Sequence, residues 1–92
     1  MSIHVGEPTE KDIHSLSLID EVLEDNIYKV QLGLSLSALG VKPEIAFSDY
    51  FENMERIQSL HEEIESPLVK EMASMKMLLE INRFSEKLNQ LL

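Results

Sequence analysis

Three histidines and a cluster of carboxylates are the side chains that could do chemistry in this 92-residue chain. His4, His14 and His61 would act as metal ligands or proton carriers if spacing brought them together. None stands three or four residues from another histidine, and none completes the Glu-x-x-His pairing of di-iron bundles. His61-Glu62-Glu63 lacks the second histidine of a zinc-protease motif. There is no cysteine to supply a thiolate, no nucleophile with an adjacent base and no Gly-rich phosphate loop. The sequence therefore assigns no catalytic, cofactor-binding or metal site and reads as a non-enzyme with no cofactor. His14 is expected in solvent, and His61 is expected partly buried with a hydrogen bond.

Asp20, Glu21, Glu24 and Asp25 form two like-charge pairs at i, i+4, an arrangement that costs a few tenths of a kcal/mol per pair on an isolated helix. A calcium loop would need alternating oxygen ligands around a glycine turn, which this stretch does not offer. Two readings remain: a solvated helix face, or an acidic docking face for a basic partner.

Charge is segregated along the chain. Residues 1–66 hold fourteen of the seventeen acidic side chains against four basic ones, whereas residues 67–92 carry three acidic and four basic. A net charge of −9 opposes direct binding to nucleic acid, which needs clustered Lys or Arg to displace counterions. No run approaches the roughly 18 apolar residues of a membrane span, and the N-terminus has neither the basic nor the apolar region of a signal peptide. The expectation is a cytoplasmic protein without membrane insertion. A chain this short has a thin core, so tight helix packing or association must supply the missing burial.

The elements that would position these residues are helical. Residues 1–8 read as a flexible arm, and 9–92 as a single helical domain. Thr9 and Asp12 resemble a capping box, placing a helix start near Glu10. Ile13, Leu16, Ile19, Leu23, Ile27, Val30 and Leu34 then recur at steps of three or four. Within that stretch, residues 27–36 also alternate apolar and polar as a half-buried strand would. Helix is favoured there because Leu and Ala are helix formers and no partner strand is evident. Gly40 and Pro43 read as a helix stop followed by a new start. Phe47, Tyr50, Met54, Ile57, His61 and Ile64 make a heptad seam, and Ser66-Pro67 opens a last helix after a tight turn. The predicted fold is all-α: a small bundle of three to four helices with an antiparallel hairpin over about residues 43–65 and 67–90.

In the last helix Leu68, Met72, Met75 and Leu79 form one apolar stripe, and Met77, Ile81, Phe84, Leu88 and Leu91 form a second, displaced around the cylinder. One flat contact cannot bury both. The second stripe is expected to meet a protein partner, a second copy of the chain, or both. The functional expectation is an acidic helical interaction module of adaptor, chaperone-like or regulatory type. The alternative is an acidic inhibitor or DNA mimic that blocks the basic site of a nucleic-acid-binding protein, with Asp20, Glu21, Glu24 and Asp25 as its docking face.

Overall fold

The computed structural model describes residues 8–91, so nearly all of the arm expected at 1–8, His4 included, lies outside the described residues. The described residues form an all-α bundle of four helices: α1 (Glu10–Ala38), the single turn α2 (Pro43–Ala46), α3 (Ser48–Glu63) and α4 (Pro67–Leu91). The three long helices run up, down and up. Among the described residues none is in a strand, and no helix is long and apolar enough to cross a membrane.

The lower end is closed by one carboxylate. Thr9 caps α1 by accepting the Asp12 N–H at 3.1 Å, and the Thr9 N–H donates back to Asp12 at 3.4 Å, completing the expected capping box. Asp12 also accepts the Glu65 N–H at 3.0 Å and the Ser66 N–H at 3.1 Å, across more than fifty residues of chain. A buried side chain thus satisfies backbone donors on both sides of the α3–α4 turn. These donors, led by the Glu65 N–H and opposed by burial, hold the Asp12 carboxyl below its ordinary value of 3.8.

The upper end is closed by sequence-local turns. Gly40 takes a left-handed φ of 92°, the Gly40 N–H donates to the Ser37 carbonyl, and the Val41 N–H donates to the Leu36 carbonyl. This is a Schellman motif, which absorbs carbonyls that the helix end leaves open. Pro43 opens α2, as expected. The helix predicted over 43–65 is divided: α2 ends at Ala46, and α3 begins at Ser48, with Phe47 as the cap between them. That division turns the Phe47 ring inward onto Gly33 of α1, where a Cβ would collide with it. Gly33 is therefore a contact point at which helix backbone meets an aromatic face.

The strand alternative for residues 27–36 is overturned by the same packing. Val30 and Gly33 face the core while Tyr28 and Leu32 face solvent, a helical rather than an alternating pattern. A helix satisfies its own backbone groups, and a lone strand here would have no partner for them. The stripe read along α1 is also displaced. The buried row is Asp12, Ser15, Ile19, Val22, Asn26, Val30 and Gly33, whereas Ile13 and Ile27 are exposed. Small and polar residues occupy the inner row because α1 and α3 form the most intimate helix pair.

Two apolar clusters stack along the bundle. The lower one gathers Ile19, Val22, Ile57, Ile64, Val69 and Ala73, and the upper one Val30, Ala46, Phe47 and Tyr50. Between them lies fully buried Asn26, whose side-chain oxygen accepts from the Asn53 amide at 2.7 Å while its own amide donates to the Met54 sulfur at 3.3 Å. A second Asn53 bond at 2.8 Å goes to Asp25. A single satisfied polar layer of this kind fixes the register of two facing helices, because slipping by a turn would strand both amides.

Two substitutions test this account. Gly33→Ala should destabilise the fold by about 1 to 3 kcal/mol through overpacking, although alanine is the better helix former by about 1 kcal/mol. Adding Phe47→Leu should make the Gly33→Ala cost smaller, and a double-mutant cycle in urea measures that coupling. For Asp12, the depressed pKa means that its contribution is present above the unfolded value near 3.8 and is lost as pH falls through the folded value. Asp12→Asn should lower Tm at neutral pH, with the gap to wild type closing in acid.

Candidate partner-binding surface on the last helix

Helix α4 carries its side chains as three rows. The inner row runs through Val69, Ala73, Met77, Glu80, Phe84 and Leu88, at steps of three and four. Val69 and Ala73 are buried in the lower cluster, and Met77 packs against it. Phe84 and Leu88 pack against the upper cluster. Phe84 is the anchor: its ring stacks on Tyr50 with centroids 4.2 Å apart and meets Phe47 edge-on at 5.2 Å. Even so, α4 lies more loosely against α1 and α3 than those two lie against each other.

Of the residues expected to meet a partner, Met77, Phe84 and Leu88 thus contribute to the bundle's own packing, while Ile81 stands 46% exposed. The side chain of Leu91 lies outside those described. The apolar row left fully outside is the other stripe: Leu68, Met72, Met75 and Leu79 are 42–61% exposed, with Leu78 beside them. The roles of the two stripes are partly exchanged because small Ala73 fits the lower cluster and flat Phe84 stacks on Tyr50, which turns the first stripe outward. Ile13, Ile27, Tyr28 and Leu32 are also exposed on α1, and Leu39 at its C-cap. Helix α4 presents apolar groups on two sides.

Its second apolar side is a groove. Tyr50, Phe51, Met54 and Gln58 of α3 and Met77, Ile81 and Phe84 of α4 line an open channel of about 580 Å³, with Glu55 on its rim. Phe51 and Ile81 flank it, each roughly half in solvent. Sequence periodicity pointed to three of these residues, Met77, Ile81 and Phe84. Phe51 was missed because it lies outside the heptad seam, and only the crossing of the two helices sets it opposite Ile81.

On the α1 side of α4 sits a buried carboxylate. Glu80 is only 6% exposed and lines a small crevice of about 150 Å³ with Ile27, Val30, Gln31, Arg83, Phe84 and Lys87. Among the described residues it takes no hydrogen bond and no ion pair within 4.0 Å. Burial pushes its pKa up, and the nearby Arg83 guanidinium opposes that rise. Burial, with the Glu80 charge adding to it, pushes the Tyr50 phenol up to about 12. Nothing in the sequence marked Glu80, since a glutamate on an amphipathic helix ordinarily reads as surface.

The other candidates disperse. Asp20 pairs with Lys76 at 2.8 Å on the α4 side of α1, and Asp25 accepts from Asn53 on the α3 side. Glu21 and Glu24 are exposed on these two different flanks, so the four carboxylates do not make one face. His14 is exposed. His61 is half-buried, with Nε2 2.8 Å from the Ser74 hydroxyl oxygen; that hydroxyl donates to the Lys70 carbonyl at 2.9 Å, so the imidazole nitrogen is the donor. Among the described residues no group of three His, Cys, Asp or Glu is placed to hold a metal ion.

Glu80→Met should stabilise the fold by about 1 kcal/mol, because it replaces a largely buried carboxylate, eased only in part by Arg83, with an apolar chain of similar length. A raised carboxyl pKa makes the wild-type fold lose stability as pH rises from the unfolded value near 4.5 through the folded one. The variant's advantage should therefore vanish in acid and grow toward neutral pH, read as Tm by circular dichroism. Tyr50 in the same variant should titrate below about 12, because one of its two perturbing influences is gone. Compared with known proteins, the chain matches no family model, no curated protein and no solved structure.

Proposed function

We propose that the chain is a non-enzymatic acidic helical interaction module, of adaptor, chaperone-like or regulatory type, that binds another protein or a second copy of itself through α4. One observation carries this reading: Leu68, Met72, Met75, Leu78, Leu79 and Ile81 all lie 42–61% exposed on a single helix. Full burial of such a side chain is worth about 1.5 to 3 kcal/mol, so each half-exposed one leaves about 1 kcal/mol unrealised. A small domain is stable by only about 5 to 15 kcal/mol, which makes this unrealised burial large on its own scale.

The charge pattern supports the same reading. Helices α1 and α3 are strongly acidic and α4 is not, so the acidic helices supply solubility while the nearly neutral one approaches a partner without long-range repulsion. The outer row alone makes a modest contact. Four half-exposed side chains from each of two copies would recover about 8 kcal/mol, against an association cost of about 4 to 15 kcal/mol. Methionines suit such a surface, because unbranched thioethers repack around differing shapes.

The test is site-specific photo-crosslinking in the cells that make the protein. A photoreactive residue at Met75, Leu79 or Ile81 should give discrete adducts, whereas one at Glu21 or Glu63 should not. Adducts at twice the chain mass identify self-association, and other masses identify a partner. Adducts confined to Glu21, or none from the three α4 positions, would overturn the reading.

A further inference from the structure

We infer that the α3–α4 groove receives one amphipathic α-helix of another protein, seated by apolar side chains and flanked by Lys or Arg on the edge that faces α3. The inference rests on the interaction reading above and adds to it a site and the chemistry of its occupant.

The shape of the groove comes first. Its α3 wall runs from Tyr50 to Gln58, about 12 Å at the rise of a helix, or rather more than two turns. Its α4 wall runs alongside through Met77, Ile81 and Phe84. A trough between two antiparallel helices is the place where a four-helix bundle seats another member, with anchors at i, i+3 or i+4 and i+7. Flat Phe51, pliant Met54 and Met77, and the edge of Phe84 offer such anchors an apolar floor that side chains can reshape. Phe51 and Ile81, at 47% and 46% exposed, are left for the occupant to cover.

Charge then selects the occupant. Among the described residues Glu55 is the only charged one lining the groove, and Glu62, seven residues further on, lies on the same side of α3 beyond it. The basic residue of α3, Arg56, lies instead against α1, beside Glu21 and Asp25. On the α4 rim the polar neighbours Ser74 and Ser85 are uncharged, and the one cation of that row, Lys70, stands a turn below Ser74, outside the groove lining. The α3 edge is thus acidic within the groove, where neither Arg56 nor Lys70 lines it, and a Lys or Arg on the docked helix meets Glu55 there. A second copy of this chain fits poorly. It brings a net charge of −9, and Lys76, a cation beside its exposed α4 row, is already paired with Asp20 at 2.8 Å.

Two synthetic peptides test this directly. Both are helical over about four turns and share one leucine face; one carries lysines along the flank, and the other carries glutamates. Each is titrated into the full-length, methyl-labelled chain, with NMR shifts locating the site and fluorescence anisotropy giving Kd. The lysine peptide should shift Met54, Met77 and Ile81 and bind about fivefold to tenfold more tightly than the glutamate peptide, by an amount that salt reduces. Ile81→Glu should abolish binding, Tyr28→Ser on α1 should leave it intact, and Glu55→Lys should narrow or reverse the preference between the peptides. Circular dichroism checks that each variant retains its helix content, and the peptide preference at Glu55→Lys is read independently of any folding effect at Ile81.

Shifts confined to Met72, Met75 and Leu79 would overturn the groove while leaving α4 as the interaction helix. Equal binding of the two peptides would overturn the charge assignment. Failure of both peptides to move any groove methyl would overturn the inference outright, and α4 crosslinks in cells would then still stand for the broader reading. Loss of both the peptide shifts and the crosslinks would remove the two together.

Discussion

The Asp12 carboxylate is the interaction on which the arrangement of the three long helices depends. It lies at the start of α1, yet it accepts the backbone N–H groups of Glu65 and Ser66 at the turn between α3 and α4. A turn as tight as Ile64-Glu65-Ser66 leaves donors that must be satisfied, and burial removes water as the alternative. The carboxylate therefore holds the first turn of α1, the end of α3 and the start of α4 in one place. With the lower end pinned, the register of α1 against α3 is carried upward by the Asn26–Asn53 layer and by the Phe47 ring on the bare backbone of Gly33. Each of these contacts depends on a particular atom at a particular height, which sets them apart from the nonspecific burial around them.

Helix α4 is held differently. Ser66 caps its first turn, accepting the Val69 N–H, and Phe84 anchors its far half through stacked and edge-on aromatic contacts. Between those two attachments lie half-buried Met77 and the buried carboxylate of Glu80. An apolar side chain at position 80 would pack α4 more firmly onto α1. A buried glutamate without a hydrogen-bonded partner instead offsets part of the apolar gain along that seam. The helix that leaves most apolar surface in solvent is thus also the one whose own seating is least optimised. A module whose interaction helix must adjust to a partner would combine these two properties.

The candidate surface was partly legible in the sequence. The two apolar stripes of α4, and the reasoning that one contact cannot bury both, follow from periodicity alone. Which stripe turns inward does not, because the decision rests on fit: Ala73 admits close approach to the lower cluster, and Phe84 finds Tyr50 and Phe47 waiting. Phe51 and Glu80 were invisible as site residues for related reasons. Each lies where a one-dimensional pattern predicts an unremarkable surface position, and only the crossing of two helices makes the first a groove wall and the second a buried charge.

By itself the sequence determined the number, type and ends of most elements, because those are set by interactions within a few residues of chain. The Thr9–Asp12 box, the Gly40 stop, the Pro43 start and the Ser66-Pro67 start are local hydrogen-bonding and torsional facts, and each is found where the residues placed it. The segregation of acidic residues away from α4 is likewise plain in the sequence. Tertiary structure alone decided that polar and small residues line the inner row of α1, that the acidic cluster divides between two flanks, and that the open groove lies between α3 and α4. Those outcomes depend on what one helix meets on another, and a contact between residues fifty positions apart leaves no periodic trace in either segment.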